Sequence, residues 1–82
     1  MGLNVDDVTK EVREMAADFV GVEPEELDLK KKLRIEYGIS SIEAAELIMA
    51  MEDKYKIKIP VEEAIKILSS QDAIDYIMKN AK

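Results

Sequence analysis

Ser40 and Glu43 fix where a helix begins, and that start constrains the rest of the chain more than any other feature. They stand in the S-x-x-E spacing of a capping box. In that motif the serine hydroxyl accepts the Glu43 backbone N–H and the Glu43 carboxylate accepts the Ser40 N–H. An apolar run extends from there to Tyr55 and reads as a helix over 41–55. With Ser40 used as the cap, Ser41 falls at the first helical position, where its hydroxyl is surplus to capping and free to face solvent. The positive potential of a helix N-terminus favours a phosphate group at such a place. Only Tyr55-Lys56-Ile57-Lys58-Ile59 alternates apolar and polar residues as a strand does. No second strand exists to pair with it, and an isolated strand is unstable, so it reads as an extended connector pinned by Ile57 and Ile59. The chain is therefore expected to be all-α.

The other segments fit that class. Val5, Val8, Val12, Met15, Ala16, Phe19 and Val20 recur at three- and four-residue steps and predict a helix over 4–20. Asn4 suits its cap, Asp6 and Asp7 its first turn, and Gly21 its left-handed end. Residues 21–39 form a long connection in which Pro24–Leu27 suits a single helical turn. Leu27, Leu29, Leu33 and Ile35 are expected to pack that connection onto the core, while Lys30–Lys32 reads as solvated loop. Pro60 opens a short helix over roughly 61–68, with Ala64, Ile65, Ile67 and Leu68 available to pack. Ser69 or Ser70 caps a last helix to about Asn80, whose inner face is Ala73, Ile74, Ile77 and Met78. The expected architecture is a small four-helix bundle of three longer helices and one short one, with a long loop between helices 1 and 2. Residues 1–82 read as a single domain.

The second helix has two apolar stripes. Ala44, Leu47, Ile48, Met51 and Tyr55 form one, assigned to the core. Ile42, Ala45 and Met49 form another, flanked by Glu43, Glu46, Glu52 and Asp53. Either the helix is buried nearly all round or the second stripe is a recognition surface with an acidic rim. Burying it would bring the flanking carboxylates out of water, which is costly, so an exposed surface is expected.

Charge and composition narrow the function classes. The net charge is −6, and residues 1–29 hold nine acids against two bases, so nucleic acid is disfavoured and basic partner proteins are favoured. The chain has no His and no Cys, which removes the common imidazole base, the thiolate nucleophile and any disulfide framework. Acidic pairs such as Glu25/Glu26, Glu52/Asp53 and Glu62/Glu63 lack calcium-loop spacing, and no metal site is expected. No apolar run reaches membrane-span length and the amino terminus lacks a basic region, so a cytoplasmic protein is the default. Nothing here reads as catalytic, and an enzyme is not expected.

The residues also resemble a known family. The stretch from Gly38 to Tyr55 resembles the G-x-D-S-L-[DE]-x-x-E-L-x-[MA]-x-[LM]-E-x-x-[FY] signature of stand-alone acyl carrier proteins. Ile57–Ala64 and Ala73–Ile77 are similar to that family's I-P-x-E-E-A and A-I-D-Y-I stretches, so the match runs in order through the whole chain. One departure stands out: Ser40 occupies the position where the family usually has Asp.

The resemblance implies that Ser41 carries 4′-phosphopantetheine, derived from coenzyme A, through a phosphodiester, and that the arm's thiol holds an acyl group as a thioester. It implies a phosphopantetheinyl transferase as one partner. Synthases, reductases and acyltransferases of fatty-acid or related synthesis would be the others, docking by basic patches. The docking surface would be Ile42, Glu43, Ala45, Glu46, Met49, Glu52 and Asp53. The positions matching the family's acyl pocket are Leu33, Leu47, Met51, Ile59, Ala64, Ile67 and Ala73, and the family expectation is a monomer. Burial is worth about 0.8 kcal/mol per methylene, so a sheltered chain should stiffen the fold. Other readings stay open: attachment at Ser40, a carrier for polyketide, aminoacyl or modified lipid groups, and a helical interaction domain without the prosthetic group.

Overall fold

Asn4 opens the first helix by accepting the Asp6 and Asp7 N–H groups on its side-chain oxygen (2.8 and 3.4 Å). The computed structural model describes residues 3–81. In it α1 runs Val5–Val20 and ends on Gly21, whose φ of 87° is the left-handed conformation glycine adopts most easily. Three further helices follow: α2 at Ser41–Tyr55, α3 at Val61–Ala64 and α4 at Ser70–Asn80. No strand forms among the described residues, and the all-α expectation holds.

The core lies where α1 meets α4 and α2. Val8, Val12 and Ala16 of α1 meet Ala73, Ile74 and Ile77 of α4 and Leu47 and Met51 of α2, all buried. Leu27 and Leu33 of the long loop and Ile39 complete it. Arg13 ties the loop down by donating through Nη1 to the carbonyls of Pro24 (3.2 Å) and Leu27 (2.7 Å), on either side of the 3-10 turn Pro24–Glu26. Further along, the Leu33 N–H donates to the Leu68 carbonyl and the Gln71 N–H to the Leu29 carbonyl (both 2.9 Å), joining the loop to the start of α4.

The sequence expectations need correction at several points. Helix α3 stops at Ala64 rather than near 68. The Lys66 and Ile67 N–H groups bond three residues back, to Glu63 and Ala64, so the turn tightens and the chain then leaves the helical path. Ile65 and Leu68 accordingly point outward instead of packing. Ile35, expected on the core, is 78% exposed, and Val5 is also exposed. Of the two candidate caps for the last helix the structure uses Ser69: the Asp72 N–H donates to Ser69 Oγ (3.2 Å), and Asp72 Oδ2 accepts the Ser69 N–H (3.1 Å).

Candidate functional site

The capping box at the start of α2 forms as its spacing demands. The Glu43 N–H donates to Ser40 Oγ (3.0 Å) and the Ser40 N–H to Glu43 Oε1 (2.9 Å). Ser41 is the first residue of the helix, exposed, and its hydroxyl has no part in the cap. Gly38 makes the turn into this start, with φ 75°.

Beside Ser41 opens a cavity of about 330 Å³, and Ser41 is part of its lining. That volume sits at the small end of ligand pockets. Six of the seven expected pocket positions line it: Leu33, Leu47, Met51, Ala64, Ile67 and Ala73. Ile59 does not. It is buried, with its N–H held by Glu52 Oε2 at 2.7 Å, but it lies outside the cavity wall. Its place in the connector, two residues before α3, takes its side chain to a different part of the interior. Sequence reasoning missed the mouth, where Ile35, Val61, Ile65 and Leu68 stand exposed around the cavity with Lys32 and Arg34. Exposed apolar residues crowded at one opening are a signature of binding surface, but in the sequence they look like core residues.

The second stripe of α2 is outside the core. Ile42 and Met49 are 71% and 61% exposed, and Ala45 is exposed as well. Met49 shares an open groove with Glu46, Glu52 and Asp53. Glu46 and Asp53 face solvent freely. The other two carboxylates of the rim are half-buried and already engaged, Glu43 with the Ser40 N–H and Glu52 with the Ile59 N–H. Tyr55, at the end of the core-facing stripe, donates through its hydroxyl to Glu11 Oε1 at 2.6 Å. Partial burial first, then the Glu11 bond and charge, push that phenol well above its ordinary value. Among the described residues no three potential metal ligands come together, and no helix is long and apolar enough to cross a membrane.

An exposed helix-start hydroxyl at the mouth of an apolar cavity suits a phosphodiester-linked arm whose far end lies in the cavity. Comparison with known proteins shows the family. The family model described as the phosphopantetheine attachment site matches residues 10–77. Acyl carrier proteins from Campylobacter concisus (strain 13826) and Campylobacter curvus (strain 525.92) are 36% and 35% identical to this chain over 75 residues, covering 92% of it and 97% of each relative. A solved structure, described as the acyl carrier protein from Enterococcus faecalis, has the same fold: its TM-score is 0.83 at 23% identity, over 96% of this chain and 100% of that one. The chain belongs to the phosphopantetheine-attachment family and, within it, to the acyl carrier proteins.

Proposed function

We propose that Ser41 is the attachment residue, and that residues 1–82 act as one carrier domain for acyl intermediates of fatty-acid or related synthesis. The observation that carries this reading is the pairing of an exposed, cap-free hydroxyl with the apolar cavity at its side. When bound, the phosphopantetheine arm supplies the thiol that the polypeptide lacks and holds the acyl group as a thioester. The protein's own part is to present, shelter and dock. The N-terminus of α2 favours the phosphate by its dipole, and the cavity offers the acyl chain an apolar shelter. The exposed face of Ile42, Ala45 and Met49, rimmed by Glu46 and Asp53, meets partners.

Those partners are a phosphopantetheinyl transferase and then synthases, reductases and acyltransferases with basic docking patches, met by a monomeric cytoplasmic carrier that has no catalytic residues of its own. Surface charges of this kind set encounter rate and orientation more than affinity, and salt screens them. Transient contacts of that strength suit a shuttle that must leave each enzyme. Ser40 keeps the cap while removing one negative charge beside the attachment point, compared with an Asp there.

Intact-mass measurement after incubation with coenzyme A and a broad-specificity transferase tests the reading. The expected result is the addition of one phosphopantetheine, lost in Ser41→Ala and kept in Ser40→Ala. An unmodified native chain, or modification that survives Ser41→Ala, would sink it.

A further inference from the structure

One side of the cavity wall contains a polar atom that the fold leaves unused. Ser70 is 1% exposed and lines the cavity, and its Oγ has no hydrogen-bond partner among the described residues. Buried hydroxyls are nearly always paired, because leaving one unpaired is unfavourable. The capping of α4 does not account for it. Ser69 already accepts the Asp72 N–H, and Asp72 Oδ2 already accepts the N–H groups of Leu68 and Ser69. The other polar lining residues are placed differently: Ser69 Oγ is engaged as the α4 cap, and Ser41, Lys32 and Arg34 are exposed, while Leu47, Met51, Ile67 and Ala73 offer a chain no hydrogen bond through their side chains.

We infer that Ser70 determines which acyl chains the cavity holds: its hydroxyl donates to a keto or hydroxyl oxygen carried part-way along the chain. The inference deepens the carrier reading above and rests on it. An oxygen on the cargo loses its water on entering an apolar cavity, so a wall without polar groups ranks the saturated chain first. One fixed donor reverses that ranking for an oxygen at one position along the chain and not at others, because the bond demands a heavy-atom separation of about 2.7–2.8 Å. The oxygen of Ser70 is itself covered, so contact requires the wall to yield. The Leu33–Leu68 and Gln71–Leu29 backbone bonds join the loop to the chain on either side of Ser70.

The test uses the full chain carrying phosphopantetheine, with straight chains of equal length joined to it by a stable amide. One chain is saturated and the others carry a single keto group at successive carbons. The ratio of sheltered to outside chain is read from the NMR signals of a 13C-labelled terminal methyl in the native protein, Ser70→Ala and Ser70→Thr. At one keto position the native protein should favour the sheltered state about fivefold over Ser70→Ala, the equivalent of about 1 kcal/mol. Ser70→Thr should restore the preference, and the saturated chain should show no such loss. If the saturated chain enters normally but Ser70→Ala acts alike on every chain, the inference is overturned while the carrier reading stands. If the native protein accepts no phosphopantetheine at Ser41, the carrier reading falls and takes this inference with it.

Discussion

Tyr55 and Glu11 tie the end of α2 to α1 through a single short bond, with Lys54 Nζ also 4.0 Å from the same carboxylate. Tyr55→Phe removes the bond and keeps the ring. Urea unfolding at neutral pH should show a loss of about 1 kcal/mol. The raised phenol sets the sign of the pH effect. Stabilisation from this group is complete below its ordinary value of 10.0 and declines as the pH rises through the higher folded value. The alkaline fall in stability should therefore be shallower in Tyr55→Phe than in the native protein. At the other end of α2, Ser40→Ala should cost about 1 kcal/mol, and Ser40→Asp should change stability by only a few tenths. The aspartate adds charge beside Ser41, so modification by a transferase with a basic docking patch should speed up at low salt and lose that advantage at high salt.

At the scale of the element, α2 has one buried and one exposed apolar face, and the substitutions that disturb each differ. Glu46→Lys with Met49→Ala alters only exposed positions and should leave unfolding within about 0.5 kcal/mol of native. The initial rate of transferase modification should fall, and its dependence on salt should flatten. The helix ends on Lys56 at φ 56°, a left-handed position that disfavours side chains. Lys56→Gly should raise stability by about 0.5–1 kcal/mol in the same unfolding assay. Helices α1, α2 and α4 were readable in the sequence because each couples a 3.6-residue apolar period to a capping residue: Asn4, Ser40, and one of the pair Ser69 and Ser70. Helix α3 lacks both. Pro60 makes no side-chain capping bond, and the four residues of α3 are too few for a periodic face to declare itself.

Across the whole molecule, the readable part was the core and the hidden part was the opening. Leu33, Leu47, Met51, Ile67 and Ala73 are apolar whether they close on one another or border a space, so the resemblance located the cavity where periodicity alone could not. Ile35, Ile65 and Leu68 misled in the opposite direction. Their hydrophobicity suggests burial, and only the crossing of the long loop with the segment after α3 brings them to the cavity mouth. Ser69 and Ser70 were equal candidates for the α4 cap in the sequence, and the structure selects Ser69. Loading the arm with a medium-length acyl chain should raise the thermal midpoint by several degrees over the form with a bare arm, since the buried methylenes add apolar contact to a small core.

The bond from the Ile59 N–H to Glu52 makes a half-buried acid beside the exposed groove of α2 also a tether for the connector that leads to α3. An arriving enzyme that offers an arginine to Glu52 competes for the same oxygens, so recognition and the grip on that connector draw on one carboxylate. If the carrier reading holds, docking at Glu52 would loosen the connector that leads to α3, at one edge of the cavity. Glu52→Gln, which keeps an acceptor but discards the charge, should leave amide exchange at Ile59 slow while making it insensitive to a bound partner.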